Sequence, residues 1–124
     1  MIGRSKASLA MLATIVAAAP AAGDTDRQKA VERGNAHYLL WCANCHGVDA
    51  DGKGPLVELL KVAPSDLTRL RQTGSGQPVA ERVMNAVAGR HEVALGERKM
   101  PLFSENLEVG TVVEIADYLE TVQK

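Results

Sequence analysis

Residues 42–46 read Cys42-Ala43-Asn44-Cys45-His46, a thiol, a second thiol three residues on, and an imidazole at once after it. Both cysteines of the protein lie in that pentapeptide. Any fold built around it must bring three reactive side chains to one side of a short turn and leave room beside them for what they hold. Several chemistries use parts of this pattern. A thioredoxin-like redox pair needs a βαβ context, which the sequence does not supply. A structural zinc site needs four ligands; the pentapeptide has three, and His37 or His91 would complete it with no second paired motif in support. A structural disulfide suits an exported chain but gives His46 no part.

Covalent haem attachment uses every member of the pattern. Two thiols at this spacing can add to two vinyl groups on the edge of one haem, while the next imidazole takes an axial position on its iron. One haem c, held through Cys42 and Cys45 with His46 as ligand, is therefore the expected cofactor.

The start of the chain has the form of an export signal. Arg4 and Lys6 give a basic opening, an alanine-rich apolar run extends from Ala7 to Ala19, and small residues follow at Ala21 to Gly23. The run falls short of the ~20 residues of a spanning helix and is interrupted by Ser8, Thr14 and Pro20. The expected organisation is a cleavable export signal at 1–23 and one domain at 24–124, with no membrane anchor. Loss of Arg4 and Lys6 would leave 12 basic against 15 acidic residues, a balance that argues against nucleic-acid binding. Tyr38, Trp41, Phe103 and Tyr118 are the only aromatic residues. In a domain of about 100 residues so thin an aromatic core leaves the chain marginal without a buried macrocycle.

The expected fold is all-α. A helix is predicted from Asp26 to about Ala43, with Val31, Gly34, Tyr38 and Trp41 or Cys42 recurring at three to four residues. Gly34 costs that helix ~1 kcal/mol against alanine unless another element needs the space. The last segment provides one: Val109, Val112, Ile115, Ala116, Leu119 and Val122 form an apolar stripe, with Glu114, Asp117 and Thr121 facing away and Tyr118 at its edge. The two helices are expected to cross at Gly34, with Tyr38 and Tyr118 beside the contact. Between them lies a loop-rich stretch with a short helix at Leu56–Lys61 and a better one at Pro78–Ala88. Proline in the first turn, Val79, Val83 and Val87 in a row, and Gly89 past the end mark the second.

These residues resemble the class I c-type cytochromes over nearly all of the chain after residue 23. The family's glycine, aromatic residue and first haem cysteine fall on Gly34, Tyr38 and Cys42. Its glycine-proline and methionine-proline fall on Gly54-Pro55 and Met100-Pro101, and the aliphatic and aromatic pair of its last helix on Ile115 and Tyr118. The resemblance implies a cytochrome c-like fold, with terminal helices crossing and loops wrapped around the haem. It implies His46 as proximal ligand, with the Pro55 carbonyl accepting a hydrogen bond from its other ring nitrogen, and Met100 as the opposite ligand. Met84 and His91 compete for that last role. Gly47, Gly52 and Gly54 either let the loop run close to the ring or simply form turns.

The implied function is a single-electron carrier rather than an enzyme. A thioether ligand favours reduced iron, and two fixed ligands minimise rearrangement on electron transfer. Implied partners are redox proteins: a dehydrogenase, an oxidase or another cytochrome of the periplasm. Pro64-Ser65-Asp66-Leu67-Thr68 and Met100-Pro101-Leu102-Phe103 are most similar to cytochromes that accompany dehydrogenases. Residues 53–100 are the basic part of the chain, and Arg98 and Lys99 beside Met100 could receive an acidic partner or simply be solvated. The rivals are a haem enzyme or gas sensor with an open or labile distal site, and a thiol or zinc module without haem.

Overall fold

In the computed structural model, which describes residues 17–19, 21–89, 100–101 and 106–124, helix α1 runs Ala22–Trp41. It starts four residues before the predicted position. Ala21 makes no side-chain cap, but its carbonyl accepts the Asp24 N–H at 2.9 Å, and Asp24 places negative charge in the first turn. Within α1 only Gly34 and Tyr38 are buried. The helix is thus anchored by two residues one turn apart and otherwise faces outward.

Their partner is the last helix, whose buried face is Val112, Ile115, Ala116 and Leu119, within Val109–Thr121. The predicted crossing is present. A Cβ placed on Gly34 would lie 1.8 Å from the Glu114 carbonyl oxygen and 3.1 Å from the Tyr118 Cβ, so the two backbones meet at the glycine. Tyr38 and Tyr118 pack with ring centroids 5.3 Å apart. Two residues of this helix depart from the predicted pattern. Val109, in the first turn, is 67% exposed. Glu114, expected to face away, turns toward α1: its carboxylate takes Arg33 Nε at 2.7 Å and His37 Nε2 at 3.5 Å.

Between the crossing helices lie α2 (Ala43–His46), α3 (Leu70–Thr73) and α4 (Val79–Val87), and the final helix is α5. Helix α4 buries the predicted row Val79, Val83 and Val87 and packs on α5. Pro78 precedes the helix as its cap rather than occupying its first turn, and Gly89 closes it at φ +68°. The helix expected at Leu56–Lys61 is only a 3-10 turn, Val57–Leu59, ended by extended backbone at Leu60. Leu56, Leu59 and Leu60 are all exposed. Without a packed face, so short a helix does not propagate.

A second short stretch went unpredicted: a 3-10 turn at Leu67–Arg69 runs into α3. Asp66 starts it by accepting the Thr68 N–H at 2.9 Å and the Thr68 hydroxyl at 2.5 Å. An Asp two residues before a hydrogen-bonding Thr was the available signal. Among the described residues there is no strand, and no helix is long and apolar enough to cross a membrane. The expectations for His91, Arg98, Lys99 and Phe103, and for most of residues 1–23, fall outside the described residues.

Candidate haem-attachment site

The backbone turns at the first cysteine. Cys42 still donates to the Tyr38 carbonyl at 2.8 Å, but its φ of −116° breaks the regular helix, which resumes as α2. The motif therefore occupies its own helical turn rather than the end of α1. Its tightness is visible in the Cys42 carbonyl, which accepts both Cys45 N–H at 3.2 Å and His46 N–H at 2.9 Å. Gly47, at φ +85°, ends the turn in a conformation that side-chain-bearing residues rarely adopt.

A four-residue helix leaves its carbonyls in want of donors. The capping Gly47 N–H takes the Ala43 carbonyl at 2.8 Å, and the loop after the motif supplies the other three. Gly52 N–H reaches the His46 carbonyl at 2.8 Å, Gly54 N–H the Cys45 carbonyl at 3.1 Å, and Leu56 N–H the Asn44 carbonyl at 3.0 Å. A Cβ on Gly54 would stand 2.4 Å from the Asn44 carbonyl oxygen. The glycine spacing thus serves the motif's own backbone. Tyr38, fully buried, adds a bond from its hydroxyl to the Gly47 carbonyl at 2.6 Å, and burial together with nearby negative charge raises its phenol well above the ordinary range.

His46 is partly buried, and its Nδ1 lies 3.0 Å from the Ser65 carbonyl oxygen. Here the structure corrects the expectation placed on Pro55. The carbonyl facing His46 comes from Ser65, nineteen residues along the chain, and Pro55 is an exposed turn residue following Gly54. The Pro64–Thr68 segment folds back over the motif loop and so reaches the imidazole first. Burial lowers the imidazole's pKa, opposed by the bond to Ser65. A neutral ring with Nδ1–H donated to a carbonyl leaves Nε2 as the lone-pair donor, the form a metal ligand needs.

Cys42 and Cys45 are both free thiols and partly accessible. Burial, helped by Cys45 beside it, pushes the Cys42 thiol up to about 11. A thiol-disulfide catalyst needs the opposite shift. Among the described residues no three His, Cys, Asp or Glu side chains converge as a metal ion would require, and His37 is engaged with Glu114. His91, the other candidate for a fourth zinc ligand, lies outside the described residues.

An attached macrocycle also needs an apolar surface. Among the described residues, eight of the ten exposed large hydrophobic side chains fall between residues 39 and 62: Leu39, Leu40, Trp41, Val48, Leu56, Leu59, Leu60 and Val62. In sequence these residues flank the two thiols, and exposed apolar side chains of this number mark a place where a large apolar group is covered. Met100 is partly buried and packs against the core, and so does Met84. Burial alone does not separate the two methionines.

The chain matches the model of the protein family described as Cytochrome c over residues 31–123. That span opens three residues before Gly34 and closes at Gln123, taking in the C-terminal half of α1, the whole motif and all of α5. No curated protein and no solved structure matches the chain.

Proposed function

The chain belongs to the cytochrome c family, with covalent haem c as its cofactor and haem-based electron transport between redox proteins as its role, and from that premise we propose a periplasmic single-electron carrier with His/Met axial ligation. Cys42 and Cys45 hold the haem edge, His46 is the proximal ligand through Nε2, and Met100 is the distal ligand. Residues 1–23 are the export signal that delivers the chain.

The observation that carries the proximal assignment is the placement of His46. It directly follows the second thiol on one helical turn and is kept neutral by burial, with Nδ1 spoken for by Ser65. Met100 is favoured over Met84 by its setting. Met84 lies inside α4 on a helix already packed through Val79, Val83 and Val87, where a methionine fills gaps, whereas Met100 precedes a proline outside any helix. The bound haem would supply one-electron redox chemistry, and a thioether from Met100 would raise its potential. The polypeptide's task is to keep both ligands in place in both states, so that little moves when charge does.

One absorbance measurement tests the assignment. The oxidised haem-loaded protein is expected to show the weak near-infrared band of sulfur-to-iron ligation, and Met100→Ala to abolish it while Met84→Ala leaves it intact. Ready binding of carbon monoxide by the reduced wild-type protein at neutral pH would overturn the reading in favour of an open distal site.

A further inference from the structure

Ser65 lies outside any helix, so nothing in its own backbone conformation fixes where its carbonyl points. Yet that carbonyl is the partner of His46 Nδ1. The segment carrying it is held from two sides. Toward the motif loop, Leu67 N–H bonds the Ala50 carbonyl at 2.8 Å, and a Cβ on Gly52 would stand 2.7 Å from the Pro64 carbonyl oxygen. From the opposite side comes the end of the chain. Gln123 Nε2 donates to the Leu67 carbonyl at 2.7 Å and to the Leu119 carbonyl at 2.8 Å, and its Oε1 accepts the Arg71 N–H at 3.0 Å. Lys124 N–H reaches the Thr68 carbonyl at 2.9 Å, and Gln72 Nε2 bonds the Lys124 carbonyl at 2.7 Å. Thr68, tied by hydroxyl and N–H to Asp66, is 2% exposed.

We propose that Gln123, with Lys124, is a positioning device for the proximal histidine: it clamps residues 65–68 so that the Ser65 carbonyl stays on His46 Nδ1, and through that bond it tunes the haem potential. The proposal rests on His46 being the iron ligand. A carbonyl held on Nδ1–H raises the basicity of Nε2, which favours ferric iron. Its single amide joins two carbonyls and one N–H on three elements, the Leu67–Arg69 turn, α3 and α5. The last side chain but one thus fixes a carbonyl that α2 cannot reach by itself.

The test uses the haem-loaded full-length protein. Gln123→Ala removes all three bonds, and Gln123→Glu keeps an acceptor for Arg71 while replacing the donor to Leu67 and Leu119. Removing an outer partner of a metal-ligating histidine costs ten- to a hundredfold in metal affinity or activity. Loosening one should reach the low end, so both variants should raise the potential by about tenfold in the reduction equilibrium, 59 mV for one electron. The His46 Nδ1–H should exchange with solvent about tenfold faster by NMR. Ile115→Val, a mild change at the α1/α5 contact, should leave both values at wild type. Unchanged potential and exchange in either folded Gln123 variant would overturn the clamp, as would an equal shift in Ile115→Val. The ligand assignment is read separately. In the wild-type ferric protein the His46 ring protons should be hyperfine-shifted, and their absence would remove the ligand rather than the clamp.

Discussion

Gly34→Ala would add one methyl group at the place where α1 and α5 touch. The new Cβ would sit 1.8 Å from the Glu114 carbonyl oxygen and 2.5 Å from its carbonyl carbon, whereas real Cβ atoms keep at least 3.0 Å from such neighbours. Both obstacles are backbone, so no rotamer change relieves them, and the helices must part by about 1.2 Å or more. Overpacking of a core contact costs ~1–3 kcal/mol, and a forced separation of two backbones belongs at or beyond the upper end. Alanine returns ~1 kcal/mol of helix propensity. The net loss should be about 2 kcal/mol, or a fall in Tm of ~8–16 °C for a domain of this size. Gly110→Ala is the matched control. It lies in the same α5, has nothing within 4 Å of an added Cβ, and should gain up to ~1 kcal/mol. Thermal unfolding of the haem-loaded proteins, followed by far-ultraviolet circular dichroism, reads both. A Gly34→Ala protein as stable as wild type would refute the backbone contact, and with it the reason for the glycine.

Two further outcomes follow from groups around the motif. Tyr38→Phe strands the buried Gly47 carbonyl while sparing the ring contact with Tyr118, and should cost ~1–3 kcal/mol in denaturant unfolding; a change under ~0.5 kcal/mol would mean the hydroxyl bond contributes little. Asp66 is held below its ordinary value of 3.8, first by the Thr68 hydroxyl and, against the opposing effect of burial, by the Thr68 N–H. Its contribution is therefore complete above the ordinary carboxylate range and is lost as pH falls through the lowered folded value. Asp66→Asn should flatten the acid limb of the stability profile measured from pH 6 to 2, and an unchanged slope would count against the Asp66–Thr68 bond.

What could be read from the sequence was whatever depends on one residue type in one place. Gly34 inside a helical pattern demanded a close neighbour, and the apolar row of the last segment named it. The Val79, Val83 and Val87 spacing likewise placed α4 within a residue at each end. The partner of His46 was not legible in this way. A backbone carbonyl has no side-chain signature, and the one that reaches Nδ1 is chosen by how Pro64–Thr68 folds over the loop, a tertiary matter. For the same reason Glu114 was assigned to solvent: helical phase alone cannot know that Arg33 and His37 wait across the crossing. The Leu56–Lys61 helix failed because its leucines have no protein surface to pack on. In a haem protein such residues are shaped by a group that the sequence does not spell out.

The α1/α5 crossing also sets an order in time. Arg33 and Glu114 meet across 81 positions of chain, and a chain that emerges N-terminus first, from a ribosome or across a membrane, presents the first long before the second. Closing so long a loop comes late, because its entropy must be spent before the contact returns anything. Until α5 exists, the Gly34 face has no partner and the segment bearing Ser65 has no C-terminal hold. Cys42 and Cys45 then sit in open chain, accessible from every side. The geometry that guards the finished site thereby leaves an interval in which covalent chemistry at the two thiols meets least resistance, and the position of the last helix in the sequence decides when that interval ends.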